Sequence, residues 1–456
     1  MPTPAAPGAG DERLSRVSAL RAQLSAMHAR SSKPAADASS RTGRADAAPA
    51  PGDLAADPGS GLPGQLRETE QGSLRQVITR FDEDHCHGAA PIVRALSATA
   101  QELSVLALDP ALAEVDFSRA LYIDTETTGL SGGAGTVPFL IGMAWFEQRE
   151  FVVEQLLLEA PGLERPMLER LSERLRSASV VISFNGKSFD WPLLRTRFIL
   201  QRVPAPRLAA HLDLLHCARR VYKRRLGSVR LVQLEEAVLG FVRCDDIAGE
   251  LIPQTYLGFL RGRTTGVELW PIVEHNGHDL VALAALLGEL SRCFRGEAPR
   301  VDPRDRLGLA QVAARADAGE RAVHHAEAAA ATDHYGELAW EALYLAGQLK
   351  LRRGDCAGAQ SAFEAALEAA VSHREGLSRV HLALSKLFEH KLKQWERALE
   401  HAAQTGCAEG EEACLSRCQR IRKKQDAQRR RVAASRGSPA PQSDVTPSVA
   451  VEPAQR

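Results

Sequence analysis

A short apolar run, Leu121-Tyr122-Ile123, leads into two carboxylates one residue apart, Asp124 and Glu126, and then into the turn signal Thr127-Thr128-Gly129-Leu130. The run is short and continuously apolar, which predicts a strand buried in a sheet. In extended backbone alternate side chains share a face, so Asp124 and Glu126 bring both charges to one side of that sheet. Like charges that close raise the pKa of one of them unless a cation intervenes, and a divalent ion held by oxygen ligands is the usual cation. The pair therefore predicts a metal site. Asp-x-Glu is also common on solvated strand edges, so the rest of the chain has to decide.

The 456 residues suffice for two or three domains with substantial cores. Basic and acidic residues number 57 each, so an electrostatic footprint has to be local. No apolar run approaches the ~18 residues of a membrane span, and Met1-Pro2-Thr3-Pro4 lacks the basic and apolar regions of a signal peptide. This predicts a soluble cytoplasmic protein with no membrane partner. The eight cysteines are scattered without a disulfide framework, which suits that compartment.

Residues 1–65 are rich in Ala, Pro, Gly and Ser and read as a mostly disordered tail. Within them Leu14, Val17, Leu20, Leu24 and Met27 recur every three or four positions and predict a short amphipathic helix over 11–30. Residues 66–118 form a lead-in segment of open role. From 119 to 297 strands and helices alternate, which argues an α/β domain. Strands are expected at Leu121–Asp124, Phe139–Phe146, Phe151–Leu158, Val180–Phe184 and Leu212–Leu215, and helices at Glu164–Arg176, Leu231–Leu239 and Asp279–Leu290. Residues 303–418 are Ala-rich and helical. There Gly354-Asp355-Cys356-Ala357-Gly358-Ala359, with Phe363 and Ala366, matches the second-helix pattern of a tetratricopeptide repeat, and Gly347 stands where the first helix carries its small residue. A plain helical bundle is the alternative. Residues 419–456 hold a basic segment and a second disordered tail.

Asn185-Gly186-Lys187-Ser188-Phe189-Asp190 follows an apolar strand and opens a helix. Its Gly-Lys-Ser is not a nucleotide loop, because that loop needs a glycine where Val181 stands. It supplies a third carboxylate, Asp190, and His275-Asn276-Gly277-His278-Asp279 supplies a fourth with a histidine nearby. Helix capping accounts for Asp190 or Asp279 singly. It does not account for the four acids in this order.

The order Asp124-x-Glu126-Thr-Thr-Gly-Leu, then Asn185-x-x-x-Phe189-Asp190, then His275 ahead of Asp279 resembles the DEDD 3′–5′ exonuclease superfamily on the ribonuclease H-like fold. More narrowly the chain is similar to YprB-like ribonuclease H-like proteins, on Asp124–Leu130, Phe184–Leu194, His211–His216, Arg224–Ser228, Leu234–Gly240 and His275-Asn276-x-x-Asp279. The resemblance implies a ribonuclease H-like domain, a mixed sheet with flanking helices, followed by the all-α tetratricopeptide-like region. It assigns Asp124, Glu126, Asp190 and Asp279 to metal binding and His275 to the place of the general base. One departure stands out: superfamily members with a histidine base carry it five residues before the last Asp, and here the histidine occupies the tyrosine spacing of four, with Glu274 at five. His278 is a further candidate for the base.

Four carboxylates can hold two Mg²⁺ or Mn²⁺ ions ~3.5–4 Å apart, one activating water and the other stabilising a leaving phosphodiester oxygen. A histidine of ordinary pKa near 6.5 can take the proton from that water. The implied activity is metal-dependent hydrolysis of phosphodiester bonds, 3′ to 5′ on single-stranded DNA or RNA, with an endonuclease on the same centre or a low-turnover binding scaffold as alternatives. Asp213 either supports the site or sits in the core with a partner. Lys187 either meets a phosphate or is a solvated loop lysine. Arg219, Arg220, Lys223, Arg224, Arg225 and Arg230 fall within 12 residues that hold no acid, and can neutralise phosphates or form a solvated helix face. The helical repeats offer a surface for a protein partner.

Overall fold

In the computed structural model, which describes residues 61–129, 135–333, 336 and 338–436, the apolar run becomes part of a seven-stranded sheet. The amphipathic helix expected at 11–30, the tail around it, Leu130 and the C-terminal tail from 437 lie outside the described residues.

Strands β1 (Gln65–Thr69) and β2 (Gly72–Phe81) form a hairpin, and a two-residue pair, β3 (Cys86–His87) and β4 (Ala90–Pro91), follows. Helix α1 (Ala100–Ala107) starts on a capping box between Thr99 and Glu102. Strands β5 (Ala120–Thr127), β6 (Pro138–Glu147) and β7 (Glu150–Leu157) make an antiparallel meander. Then come α2 (Glu164–Ser177), β8 (Val180–Ser183), α3 (Asp190–Leu200) and β9 (His211–Asp213). The strand order is β1-β2-β7-β6-β5-β8-β9; β8 and β9 run parallel to β5, and every other pairing is antiparallel. The lead-in segment thus has a role: its β2 pairs with β7 and extends the sheet beyond the meander.

Helices α4 (Leu214–Leu226), α5 (Leu231–Leu234), α6 (Ile252–Leu260) and α7 (Trp270–Arg295) complete this part. Alternation along β5 sends its residues into two cores. Tyr122 packs with α4 and α7 through Leu214, Ala218, Leu283 and Leu287, whereas Leu121 and Ile123 pack with α2 and α3 through Met167, Leu171, Leu194 and Phe198. Each such side chain contributes ~1.5–3 kcal/mol by leaving water. This double burial explains why the strand reads as a continuous apolar run.

Two expected elements are corrected. The strand expected at Leu212–Leu215 ends at Asp213, because Asp213 Oδ1 accepts from Leu215 N at 3.1 Å and starts α4 there. The helix expected from Asp279 begins at Trp270: a Thr265–Glu268 capping box closes a 3₁₀ turn that runs straight into Trp270-Pro271. Asn276-Gly277 reads as a breaker in sequence but lies inside this helix.

The helical region follows as α8 (Pro303–Arg315), α9 (Gly319–Thr332), α10 (Ala339–Arg352), α11 (Cys356–Ala369), α12 (Arg374–Leu387), α13 (Trp395–Ala402), α14 (Gly406–Glu409) and α15 (Glu411–Arg436), with α8 to α13 each packing on the next. Gly347 fills the place of a small residue, since a Cβ there would stand 2.5 Å from the Phe363 ring. The basic residues from Arg420 to Arg431 belong to α15. No described helix is long and apolar enough to cross a membrane.

Candidate active site

The C-terminal end of β5 carries Asp124 and Glu126 on one face. Pairing sets Asp124 opposite Gly142 of β6, and Gly142 opposite Gln155 of β7. A glycine is required between them. A Cβ at 142 would lie 2.2 Å from Asn276 Oδ1, so only the bare backbone lets Asn276 descend from α7 onto the sheet. There Gln155 Nε2 donates to Asn276 Oδ1 at 2.9 Å, and Asn276 Nδ2 donates to Asp124 Oδ2 at 2.8 Å. Asn276 is fully buried by this arrangement.

The other two acids arrive from helices. Asp190 is the first residue of α3, where Thr125 Oγ1 donates to its Oδ1. The turn before it is held by Asp213, whose Oδ1 accepts from Asn185 N at 2.8 Å and whose Oδ2 accepts from Lys187 N at 3.2 Å. Asp213 is thus buried, capping α4 and fixing the 185–190 turn, one strand away from the cluster. Asp279 lies on α7 one turn after His275, so the two share a helix face. His275 Nε2 stands 4.0 Å from Glu126 Oε1 and 3.9 Å from Asp279 Oδ2. The capping explanation of Asp279 fails, because the residue is mid-helix.

The remaining base candidates face elsewhere. His278 packs its ring against Phe241 and His87, as the ~100° divergence of adjacent helical residues requires. Burial pushes its imidazole down to about 4. Glu274 is exposed.

Several residues here carry no signal in the sequence patterns. Arg243, almost fully buried, donates to Glu235 Oε2 at 2.8 Å and to Asp246 Oδ2 at 3.1 Å, and also bonds Asp279 Oδ1. Glu235 in turn meets His87 Nε2 at 2.7 Å. Arg243 and Asp246 sit in the irregular stretch between α5 and α6, where spacing predicts nothing. Asn276 stands inside a motif already quoted, but its role became legible only once the helix was known to start before it.

Electrostatics sets this cluster apart. Burial, then Asp279, Asp190 and Glu126, hold Asp124 well above the usual carboxylate range. Glu126 is raised by burial and then by Asp279, Asp190 and Asp246, with Arg243 opposing. Burial pushes Asp190 up to about 6, against the Thr125 hydrogen bond. Asp279 is raised by burial, with Arg243 opposing. Such mutual repulsion in a half-buried site is relieved by cations.

Among the described residues, no three His, Cys, Asp or Glu side chains converge closely enough to hold one ion as they are placed. The acids are turned to Asn276, Thr125 and Arg243 instead. The donor set still fits a hard divalent cation. It is all carboxylate oxygen, its charge exceeds what Arg243 neutralises, and Asp124 Oδ1 and Asp279 Oδ2 have no hydrogen-bond donor among the described residues.

The basic cluster on α4 divides. Arg220 donates to Leu106 O at 3.2 Å, Arg224 pairs with Glu341 at 2.9 Å, and Arg225 pairs with Asp305 at 2.7 Å. These three tie α4 to neighbouring helices, a use that a sequence run cannot reveal. Arg219, Lys223 and Arg230 are exposed, as is Lys187 in the turn before Asp190.

Residues 121–291 match the ribonuclease H superfamily. The uncharacterized protein YprB of Bacillus subtilis strain 168 is 36% identical over 182 residues, 40% of this chain and 44% of that protein. The similarity spans less than half of either chain. The superfamily match over 121–291 takes in α3 and nearly all of β5 and α7.

Proposed function

We propose that this chain, which carries a ribonuclease H-like domain, is a metal-dependent nuclease acting 3′ to 5′ on single-stranded nucleic acid. One observation carries the reading: β5, α3 and α7 bring four carboxylates together, burial raises all four, Asp190 and Asp279 further raise Asp124 and Glu126, and the Nε2 of His275 lies about 4 Å from two of them. Asp124, Glu126, Asp190 and Asp279 would hold two Mg²⁺ or Mn²⁺ ions, which when bound supply an activated water and charge stabilisation at the leaving oxygen. His275 accepts the proton from the attacking water at Nε2. Asn276 and Thr125 orient Asp124 and Asp190. Lys187, Arg219 and Lys223 meet phosphates, as exposed cations can. The protein is proposed to work in the cytoplasm, where its eight free thiols stay reduced.

The helical region is proposed to be tetratricopeptide-like and to engage a protein partner. A groove of about 680 Å³ favours this, lined by Trp340, Tyr344, Gln348, His373 and Arg374. If it dominates, the nuclease domain serves as a binding platform instead.

End-labelled single-stranded DNA and RNA of one sequence, incubated with Mn²⁺, Mg²⁺ or EDTA, test the reading against Asp124→Asn. A metal-dependent ladder from the 3′ end, lost in the variant, is the expected result. Internal fragments would indicate an endonuclease on the same centre, and binding without cleavage would leave the scaffold.

A further inference from the structure

His275 is gripped from behind. Its Nδ1 lies 2.9 Å from both Oδ1 and Oδ2 of Asp246, while its Nε2 faces Glu126 and Asp279. Arg243 closes the arrangement, with Nη1 3.1 Å from Asp246 Oδ2 and 3.3 Å from the same Nδ1. All three side chains are at least four-fifths withdrawn from water, with exposures of 14% for His275, 18% for Asp246 and 3% for Arg243.

Every assignment of protons that satisfies the three groups places one on Nδ1. A guanidinium has no acceptor and an ionised carboxylate has no donor, so Arg243 and His275 must both donate to Asp246. Burial raises the Asp246 carboxyl, but the hydrogen bonds and charges of His275 and Arg243 outweigh it and hold it below the usual carboxylate range. Nδ1 then carries a proton, and in the neutral ring the Nε2 lone pair points at the carboxylate cluster.

We propose that Asp246, itself anchored by Arg243, is the positioning residue that fixes the tautomer and direction of His275. Its use in the reaction rests on the nuclease reading above. The tautomer does not. Asp246 belongs to none of the sequence motifs; it follows Asp245, whose φ of 56° turns the chain in the left-handed region and feeds Asp246 back toward α7.

Asp246→Asn is the informative variant, because it keeps the shape and inverts the chemistry. Arg243 demands an oxygen, so the carboxamide turns its Oδ1 to the guanidinium and its NH₂ to His275. Nδ1 must then accept, and the proton moves to Nε2. The same inversion behind a catalytic histidine costs ~10⁴-fold in a serine protease, and losing a group hydrogen-bonded to a metal ligand costs ~10–100-fold.

The test has two arms on the full chain. Ring-nitrogen NMR of ¹⁵N-histidine protein, metal-free and near about pH 8.5, well above an ordinary imidazole pKa, reads the tautomer, with His275→Gln assigning the signal. The expected result is the Nδ1–H form in wild type and the Nε2–H form in Asp246→Asn. In the second arm, Mn²⁺-dependent cleavage should lose ~10²-fold or more in kcat, with the Mn²⁺ dissociation constant within about twofold of wild type. An Nε2–H tautomer in wild type, or an unchanged tautomer in the variant, overturns the proposal whatever the activity. An inverted tautomer with undiminished kcat overturns the positioning role. If wild type binds Mn²⁺ but cleaves nothing while the tautomer inverts as expected, the nuclease reading falls and the grip on His275 stands.

Discussion

Glu389 in the helical region and Asp124 in the sheet are both carboxylates withdrawn from water, yet their neighbours differ in sign. Glu389, fully buried in the π turn after α12, receives Arg420 Nε and Nη2 at 2.8 Å and Lys424 Nζ at 2.8 Å. Hydrogen bonds from Arg420, helped by Lys424 and opposed by burial, hold it down at about 2. Asp124 has three acids nearby and one neutral amide donor, and is held well above the usual range. The first arrangement is complete in itself and pins α15 to the turn after α12. The second leaves like charges facing one another, which is what the proposed metal site would relieve.

The largest test of this contrast is catalytic. Asp124→Asn should reduce cleavage to the level of EDTA-treated wild type, while Glu389→Gln leaves cleavage per folded molecule unchanged; end-labelled substrate assays decide it. Next come opposite signs in stability. Denaturant unfolding in EDTA should show Glu389→Gln destabilised by ~2–3 kcal/mol, since Arg420 and Lys424 lose their counter-charge, and Asp124→Asn stabilised by ~1 kcal/mol, since repulsion is relieved. Equal signs would break the comparison.

The pH dependence sharpens it further. Asp190, raised from 3.8 to about 6 in the folded protein, contributes stability that is full below pH 3.8 and lost as pH climbs through about 6. Glu389, lowered from 4.5 to about 2, contributes stability that is full above pH 4.5 and lost as pH falls toward 2. Subtracting Asp190→Asn and Glu389→Gln unfolding curves from wild type without metal should therefore give slopes of opposite sign, in pH windows that overlap only between 3.8 and 4.5. Added Mn²⁺ should flatten only the first. The smallest effects belong to α4. Lys223→Ala and Arg219→Ala should each reduce the salt slope of nucleic-acid binding by about one, and Arg224→Ala, whose partner is Glu341, should leave that slope unchanged and cost under ~1 kcal/mol in stability.

The comparison also marks what a sequence makes legible. Asp124, Glu126 and the strands around them could be read because strand periodicity and a dense apolar core write local patterns. The turn to Asp190 was legible for the same reason. Asp246 and Arg243 were not, since they reach His275 from an irregular stretch 29 and 32 residues away in the chain. The start of α7 was hidden by Asn276-Gly277, whose breaker signal loses to the burial of the whole helix. On α4 the charges were plain but their partners were not: Asp305 and Glu341 lie 80 and 117 residues further on.

Gly142 has a consequence for how this site can drift over generations. Its missing side chain and the Asn276 amide fill one space, and Gln155 holds that amide from the neighbouring strand. A methyl group at 142 evicts Asn276, and a longer side chain at 276 evicts itself. Neither position can be explored alone, so the pair is expected to covary among homologues, a larger residue at 142 appearing only with a smaller one at 276. Where that exchange occurs, Asp124 loses its amide donor, and the carboxylate is left to whatever cation or water the descendant protein can recruit.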